Sequence, residues 1–295
     1  MERAMQHAIA RAQSSGALHK LTSTAQTCVH EGAPYLLLTL NRVEKPQGAV
    51  KPEADSTAAP KKNPFAEENL EADLIVQDVH GTHNLLLNKF NVVDEHLVLT
   101  TKSFDDQATP LLARDLHALW TCIQELDALG FFNCGHESGA SQPHKHMQLI
   151  THRSTLSYLN TPLDELPWMH RARVFAESTP GVARGTIFSV PWFPFRHGFI
   201  WHDAASAVDP HAAGEQLHAA ASSLLAALHP ASYNLLLTRS LLLVVPRRAR
   251  KTADGIEINS MGFAGSFLVR EAAHAARFAA EGPFRILADV TFPLS

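Results

Sequence analysis

His144-Lys145-His146-Met147-Gln148 is the run on which the reading of this chain turns. Side chains on an extended strand alternate between faces, so His144, His146 and Gln148 would share one face while Lys145, Met147 and Leu149 take the other. Immediately upstream, Asn133-Cys134-Gly135-His136-Glu137-Ser138-Gly139-Ala140-Ser141-Gln142-Pro143 is rich in small and hydroxyl residues. In such a loop the backbone N–H groups, those of Ser138–Gln142 above all, can meet an anion. Two imidazoles and an amide on one face, reached through a Ser/Gly loop, point to chemistry on a phosphate. The competing explanation is surface or metal-binding histidines, in a chain with 18 histidines among 295 residues. The ordered combination of loop, paired histidines and glutamine favours the first.

Upstream of the motif, Pro110–Gly130 places Leu112, Leu116, Leu119, Trp120, Ile123, Leu126 and Leu129 at three- and four-residue steps, which predicts a helix stopped by Gly130. His83–Phe90 and Glu95–Thr101 read as adjacent antiparallel strands, Tyr35–Leu40 as another strand, and residues 2–14 as a short amphipathic helix. From Lys45 to Asn63 the composition is that of a surface loop. Phe131–Asn133 starts the strand before the Ser/Gly loop. Further on, Pro162–Pro180 reads as a connection, Thr186–Val190 and Phe195–Trp201 as strands, and Ala212–Leu228 as a helix. Tyr233–Thr238 and Leu241–Pro246 read as a β-hairpin. Arg247-Arg248-Ala249-Arg250-Lys251 reads as a solvated turn that could also help hold a polyphosphate. Gly255–Ser260 is expected as a strand, Gly262–Gly265 as a tight loop and Ser266–Phe278 as an amphipathic helix. This order suits an α+β fold, a mixed antiparallel sheet flanked by helices, better than alternating β-α repeats.

A hydrophobic content of 45% with 18% charged residues describes a soluble globular protein. Apolar runs such as Leu241–Val245 are far too short to cross a bilayer, and the first residues lack the apolar core of a secretory signal. Cys28, Cys122 and Cys134 form no C-x-x-C pair, which argues for reduced thiols, a cytoplasmic setting and no cysteine-bound zinc. A net charge of −4 gives no general affinity for nucleic acid. Neither nucleic acid nor membrane is therefore an expected partner.

A neutral imidazole can attack an activated phosphoryl group, splitting one displacement into two. The attacking ring needs its distal N–H tied to a carbonyl or carboxylate, so that a lone pair faces phosphorus. A second histidine and a glutamine can donate to phosphate oxygens. The same imidazole pair could bind zinc with a third ligand from Glu137 or His136, but glutamine is a poor zinc ligand. The chemistry favours nucleotidyl transfer, with no metal site expected.

Blocks spread over nearly the whole length strengthen this. They are Asn63-Pro64-Phe65, Leu87-Asn88-Lys89-Phe90-Asn91-Val92-Val93, Ser138–Gln148, Tyr233-Asn234-Leu235-Leu236-Leu237-Thr238, Val244-Val245-Pro246-Arg247 and Asn259-Ser260-Met261-Gly262-Phe263-Ala264-Gly265. With them the chain resembles the diadenosine tetraphosphate phosphorylases (ATP adenylyltransferases) of the histidine-triad and galactose-1-phosphate uridylyltransferase superfamily. The resemblance implies that fold, with a catalytic region over 1–170 and an ATP adenylyltransferase region over 171–295 packed as one unit. It implies that His146 is the nucleophile, with His144 and Gln148 supporting it. ATP would leave an adenylyl-histidine, and inorganic phosphate would take the AMP unit as ADP. Lys45, Asn88, Lys89, Asn133, Gly139, Ala140, Ser141, Gln142, Asn259, Ser260, Met261, Ser266 and Arg270 would contact substrate. Fungal members carry Met and Lys where this chain has Ser266 and Arg270, which bears on base preference. No tightly bound cofactor is implied, although Mg2+ commonly accompanies polyphosphates. Two further readings stay open: transfer to adenylyl sulfate or a hexose phosphate, and a nucleotide sensor without catalysis.

Overall fold

The central strands are apolar on both faces because both faces are covered. The computed structural model describes residues 1–40, 62–159 and 163–294. Its main sheet contains β3 (Ile75–Val79), β4 (His83–Leu87), β5 (His96–Thr101), β6 (Ala128–Cys134), β7 (His146–Thr151), β8 (Ile187–Phe188), β9 (Gly198–Trp201), β10 (Tyr233–Leu237) and β11 (Leu241–Pro246). These nine strands run in the order β3-β4-β5-β7-β6-β10-β11-β9-β8. Every neighbouring pair is antiparallel. The two halves of the sequence meet at β6 and β10, where Phe131 lies opposite Leu236 and Asn133 opposite Asn234. The chain is thus an α+β protein, as its patterning predicts.

One face of the sheet carries Leu85, Leu97, Leu99, Met147, Leu149 and Leu235, all fully or nearly fully buried. They join one core with α1 (Glu2–Ser15), α2 (Ala113–Leu126) and α5 (Pro210–Leu228). Asp209 caps α5 by accepting from the Ala212 N–H at 2.8 Å. The opposite face carries Phe131, Ile150, Leu236, Leu243 and Val245. These pack beneath a second sheet of β1 (Ser23–His30), β2 (Ala33–Leu40) and β12 (Ser266–Val269), together with α4 (Pro167–Ser178), α6 (Ala272–Glu281) and α7 (Pro283–Ala288). A one-turn helix, α3 (His152–Leu156), follows β7 directly.

Four expectations are corrected. The helix over 110–130 ends at Leu126, where Asp127 turns left-handed at φ 50°, and Gly130 lies inside β6. A Cβ on Gly130 would come within 2.8 Å of Ile123 and 2.9 Å of Leu119, so the glycine lets α2 lie close on the sheet. Pro162–Pro180 is no plain connection. Pro167 starts α4 at its first turn, and Trp168, Met169, Ala172 and Ala176 bury one face of it. Position 170 falls within this helix. Gly255–Ser260 makes only the isolated bridge Lys251–Glu257 before the 3-10 turn Ser260–Ala264. Ser266–Phe278 divides into β12 and α6 rather than one helix. β12 pairs in parallel with β2, Ser266 opposite Leu36, a partner 230 positions earlier in sequence.

Candidate active site

β6 and β7 pair from Ala128–Thr151 to Phe131–Gln148 and then separate. Gln107 fills the opening. Its Oε1 accepts from the His146 N–H at 2.7 Å, and its Nε2 donates to the Asn133 carbonyl at 2.8 Å. These bonds replace the missing ladder and satisfy backbone groups that burial would otherwise strand. The strand face continues as expected from alternation, so His146 and Gln148 both line one cavity of about 290 Å³.

Two chains of hydrogen bonds fix the histidines. The Phe65 N–H donates to Asn63 Oδ1 at 3.0 Å, and Asn63 Nδ2 lies 2.9 Å from His144 Nδ1. His144 Nε2–H donates to the Thr101 carbonyl at 2.8 Å. Both ring nitrogens of His144 are therefore engaged. The His144 carbonyl accepts from His146 Nδ1–H at 2.8 Å. A neutral His146 must then carry its lone pair on Nε2, which bonds to no described residue. Burial lowers the His146 pKa below its ordinary value, partly offset by the bond to His144, so the ring is neutral near pH 7. The Phe65 ring packs 5.1 Å from that of His146.

Asn88, Lys89, Ser141 and Gln142 share the cavity, with Leu70, Leu74, Leu86 and Val98 as its apolar wall. Lys89 Nζ is held by Glu71 at 2.6 Å. Gln148 meets His96 at 2.8 Å. In the Ser/Gly loop, the Ser138 and Gly139 N–H groups close a 3-10 turn onto Gly135 and His136. Those of Ala140, Ser141 and Gln142 have no partner among the described residues, so only these three of the expected 138–142 have N–H groups open to an anion. Gly139 at φ 94° approaches the Ile258 carbonyl, and a Cβ there would sit 3.3 Å from that oxygen.

A second cavity, about 600 Å³, opens on the other side of this loop and is lined by Gly139, Lys251, Asn259, Ser266 and Arg270 among others. The expected site residues thus divide between two neighbouring spaces. Asn133, Ala140, Ser260, Met261 and His144 line neither. Asn133 Oδ1 accepts from Asn234 Nδ2 and from the backbone and hydroxyl of Ser260, which anchors the 259–261 segment to β6. Met261 is 7% exposed and belongs to the core. Lys45 lies outside the described residues.

Arg247 is not in a solvated turn. It is 2% exposed. It donates to Asn234 Oδ1 and to the carbonyls of Ser138, Ala249, Ile258 and Val290. Burial pushes its pKa down to about 9, with the charge of Glu137 acting the other way, so it remains a cation at neutral pH. Sequence reasoning missed the roles of Gln107, His96, Asn63 and Phe65. The recurrence of Asn-x-Phe at 63–65 and 88–90 was the available signal for two of them.

Among the described residues, Asp164, Glu165 and His170 come close enough to share a metal ion. Arg173 already lies among them, donating to Asp164 and Glu165 at 2.7 Å each. Its guanidinium supplies the charge that a cation would bring, and the group shares no residue with either cavity. No described helix is long and apolar enough to cross a membrane, and Cys28, Cys122 and Cys134 are unpaired.

Comparison with known proteins accords with this arrangement. A family model for the Ap4A phosphorylase N-terminal domain matches residues 1–167, and one for the ATP adenylyltransferase C-terminal domain matches 191–293. Diadenosine 5',5'''-P1,P4-tetraphosphate phosphorylase 2 of Saccharomyces cerevisiae is 28% identical over 260 residues, covering 77% of this chain and 74% of its own. Protein APA1 of the same yeast is 33% identical over 129 residues, or 40% of this chain and 38% of its own. Crystal structures of yeast Ap4A phosphorylase Apa2 in complex with Ap4A and with AMP superpose with TM-scores of 0.77 and 0.76. Each is 24% identical and is matched over 100% of this chain and 98% of that one, which establishes a common fold. The first family model alone spans more than half of the sequence, and the chain therefore belongs to the Ap4A phosphorylase (ATP adenylyltransferase) family.

Proposed function

We propose that this protein cleaves diadenosine tetraphosphate with inorganic phosphate, giving ATP and ADP, through an adenylyl group carried on His146. The observation that supports it most directly is the bond from His146 Nδ1–H to the His144 carbonyl at 2.8 Å, which leaves Nε2 as the free nucleophile in the cavity. Nε2 attacks an α-phosphorus, the bond to the bridging oxygen breaks, and ATP departs with that oxygen. The ring keeps its Nδ1 proton and becomes cationic, and the His144 carbonyl stabilises it. A phosphate oxygen then displaces Nε2 and leaves as part of ADP. The departing polyphosphate is already a stable anion, so a titrating acid is not needed at position 148 and an amide suffices.

The open N–H groups of Ser141 and Gln142 and the amide of Gln148 would face the reacting phosphate. Asn88 and Lys89 border the same cavity, while Gly139, Asn259, Ser266 and Arg270 would hold the more distant part of the dinucleotide. Asn133, Ser260 and Met261 act by positioning that second wall. A magnesium ion brought by the polyphosphate would offset its charge. Unpaired thiols and the nucleotide substrates suit a cytoplasmic enzyme.

Incubation with diadenosine tetraphosphate and phosphate should release ADP and ATP in equal amounts. AMP in place of ADP would mean hydrolysis and refute the proposal. Because burial holds the His146 pKa below the ordinary 6.5, the nucleophilic ring persists below that pH. The acid limb of kcat/KM for the dinucleotide should therefore be centred below 6.5. An acid limb centred at or above 6.5 would contradict a neutral buried nucleophile.

A further inference from the structure

We infer that Gln107 is a positioning residue for the nucleophile, its side-chain amide taking the place of a neighbouring strand and fixing the His146 peptide where β6 and β7 part. The inference rests on the assignment of His146 as the nucleophile. Every bond of this amide is to backbone, so its sense cannot be reversed. The His146 N–H can only donate, and it does so to Gln107 Oε1 at 2.7 Å. The carbonyls of Asn133 and His146 can only accept, and both receive from Nε2, at 2.8 and 3.2 Å. The amide thus pairs with the N–H and C=O of His146 as a residue of an adjacent strand would, while Nε2 also reaches across to β6.

The register shows what the amide displaces. Phe131 lies opposite Gln148 in the last pair of the β6–β7 ladder. Two positions on, the same register would set Asn133 against His146, the two residues that Gln107 bridges. The chain around Gln107 is inserted at that point. The Lys145 N–H donates to the Asp105 carbonyl and the Gln107 N–H to the Pro143 carbonyl, each at 2.8 Å. On the other side, Cys134 Sγ donates to the Ala108 carbonyl at 3.3 Å. Residues 105–108 therefore lie between β6 and the motif strand, and Gln107, 3% exposed, forms the inner end of this wedge. With an apolar side chain of the same length the wedge would remain, but the buried His146 N–H would have no acceptor and its peptide would be free to shift. The ring would move with it, since its Nδ1–H is tied to the nearby His144 carbonyl. A misplacement of about 1 Å at a reacting group costs roughly 100-fold in rate. Gln107 lines neither cavity, so the loss falls on the chemical step rather than on substrate affinity.

The first test needs no substrate. Gln107→Met keeps the length of the side chain but neither its donor nor its acceptor. Hydrogen exchange at the His146 amide, read from 15N–1H spectra, should be roughly tenfold faster in this variant than in wild type. An unchanged rate would overturn the inference. The second test is kinetic. Rapid quenching in a single turnover should show phosphoramidate formation slowed by about 100-fold in Gln107→Met, with KM for the dinucleotide changed by no more than about threefold. Gln107→Glu separates bonding from bulk. As the neutral acid it accepts from the His146 N–H and donates its O–H to the Asn133 carbonyl, whereas as a carboxylate it sets a second acceptor against that carbonyl. Burial raises the pKa of such a glutamate, so its rate relative to wild type should lie within about tenfold at about pH 6 and fall toward that of Gln107→Met at about pH 9. Gln107→Met as fast as wild type, or Gln107→Glu no faster than Gln107→Met at the lower pH, would also refute it. Should Gln107→Met fail to fold, Gln107→Glu decides. Wild-type protein that makes no ADP would instead refute the proposed reaction, and exchange at the His146 amide would still be read independently.

Discussion

His146→Ala is expected to lower kcat for phosphorolysis by on the order of 10^4- to 10^6-fold, the size of loss seen when a covalent nucleophile is removed. No neighbour can substitute. His144 has one nitrogen held by Asn63 and the other by the Thr101 carbonyl, and Gln148 offers no nucleophilic lone pair. The fold should survive. The variant loses one ring and one hydrogen bond to the His144 carbonyl, at a cost of about 1–3 kcal/mol. Rapid quenching with labelled dinucleotide should trap a phosphoramidate in wild type and none in the variant. Turnover above a tenth of wild type in the alanine variant would rule out covalent catalysis at this position.

The second large effect concerns stability. Lys145, between the two motif histidines, points to the opposite face and is 2% exposed. Its Nζ lies 3.4 Å from Asp115 Oδ2 and donates to the Pro110 carbonyl at 3.1 Å. Asp115 is fully buried, and its Oδ1 lies 3.3 Å from His83 Nε2. It also accepts from the Leu112 N–H at the start of α2. Burial by itself would raise its pKa, but the contacts with His83, Leu112 and Lys145 outweigh that and hold it low. Asp115→Ala should leave a buried ammonium without its counter-ion and cost about 3–5 kcal/mol, a large share of the roughly 5–15 kcal/mol that a domain has in total. Urea unfolding at pH 7 measures it. The double variant Asp115→Leu with Lys145→Met, free of both charges, should regain most of the loss. A single variant within 1 kcal/mol of wild type would show that the pair carries no weight.

The motif strand was legible because its chemistry and its period-two geometry coincide in five residues. The helices around Trp120 and Leu217 and the 233–246 hairpin were legible from local periodicity. Failures came where tertiary contacts decide. Gly130 looks like a helix stop until α2 is seen packed on it, and β12 depends on a partner near residue 36 that no local pattern shows. α4 was hidden by charges on its outer face. In the site, His144, His146 and Gln148 could be read together, whereas His96 and Gln107 reach them across strands. The expected binding residues divide at the Ser/Gly loop, with the left-handed Gly139 lining one cavity and Ser141 and Gln142 the other.

Arg247 bonds only to carbonyls and one amide oxygen, with no carboxylate among those acceptors. Its charge, offset through space by Glu137 but paired with no carboxylate, therefore stands beneath the Gly139 loop whether or not a ligand is present. Dissolved ions screen exposed lysines readily but reach an interior cation poorly. In concentrated electrolyte, where surface attraction fades, the attraction for phosphate-rich molecules would then come increasingly from inside the protein.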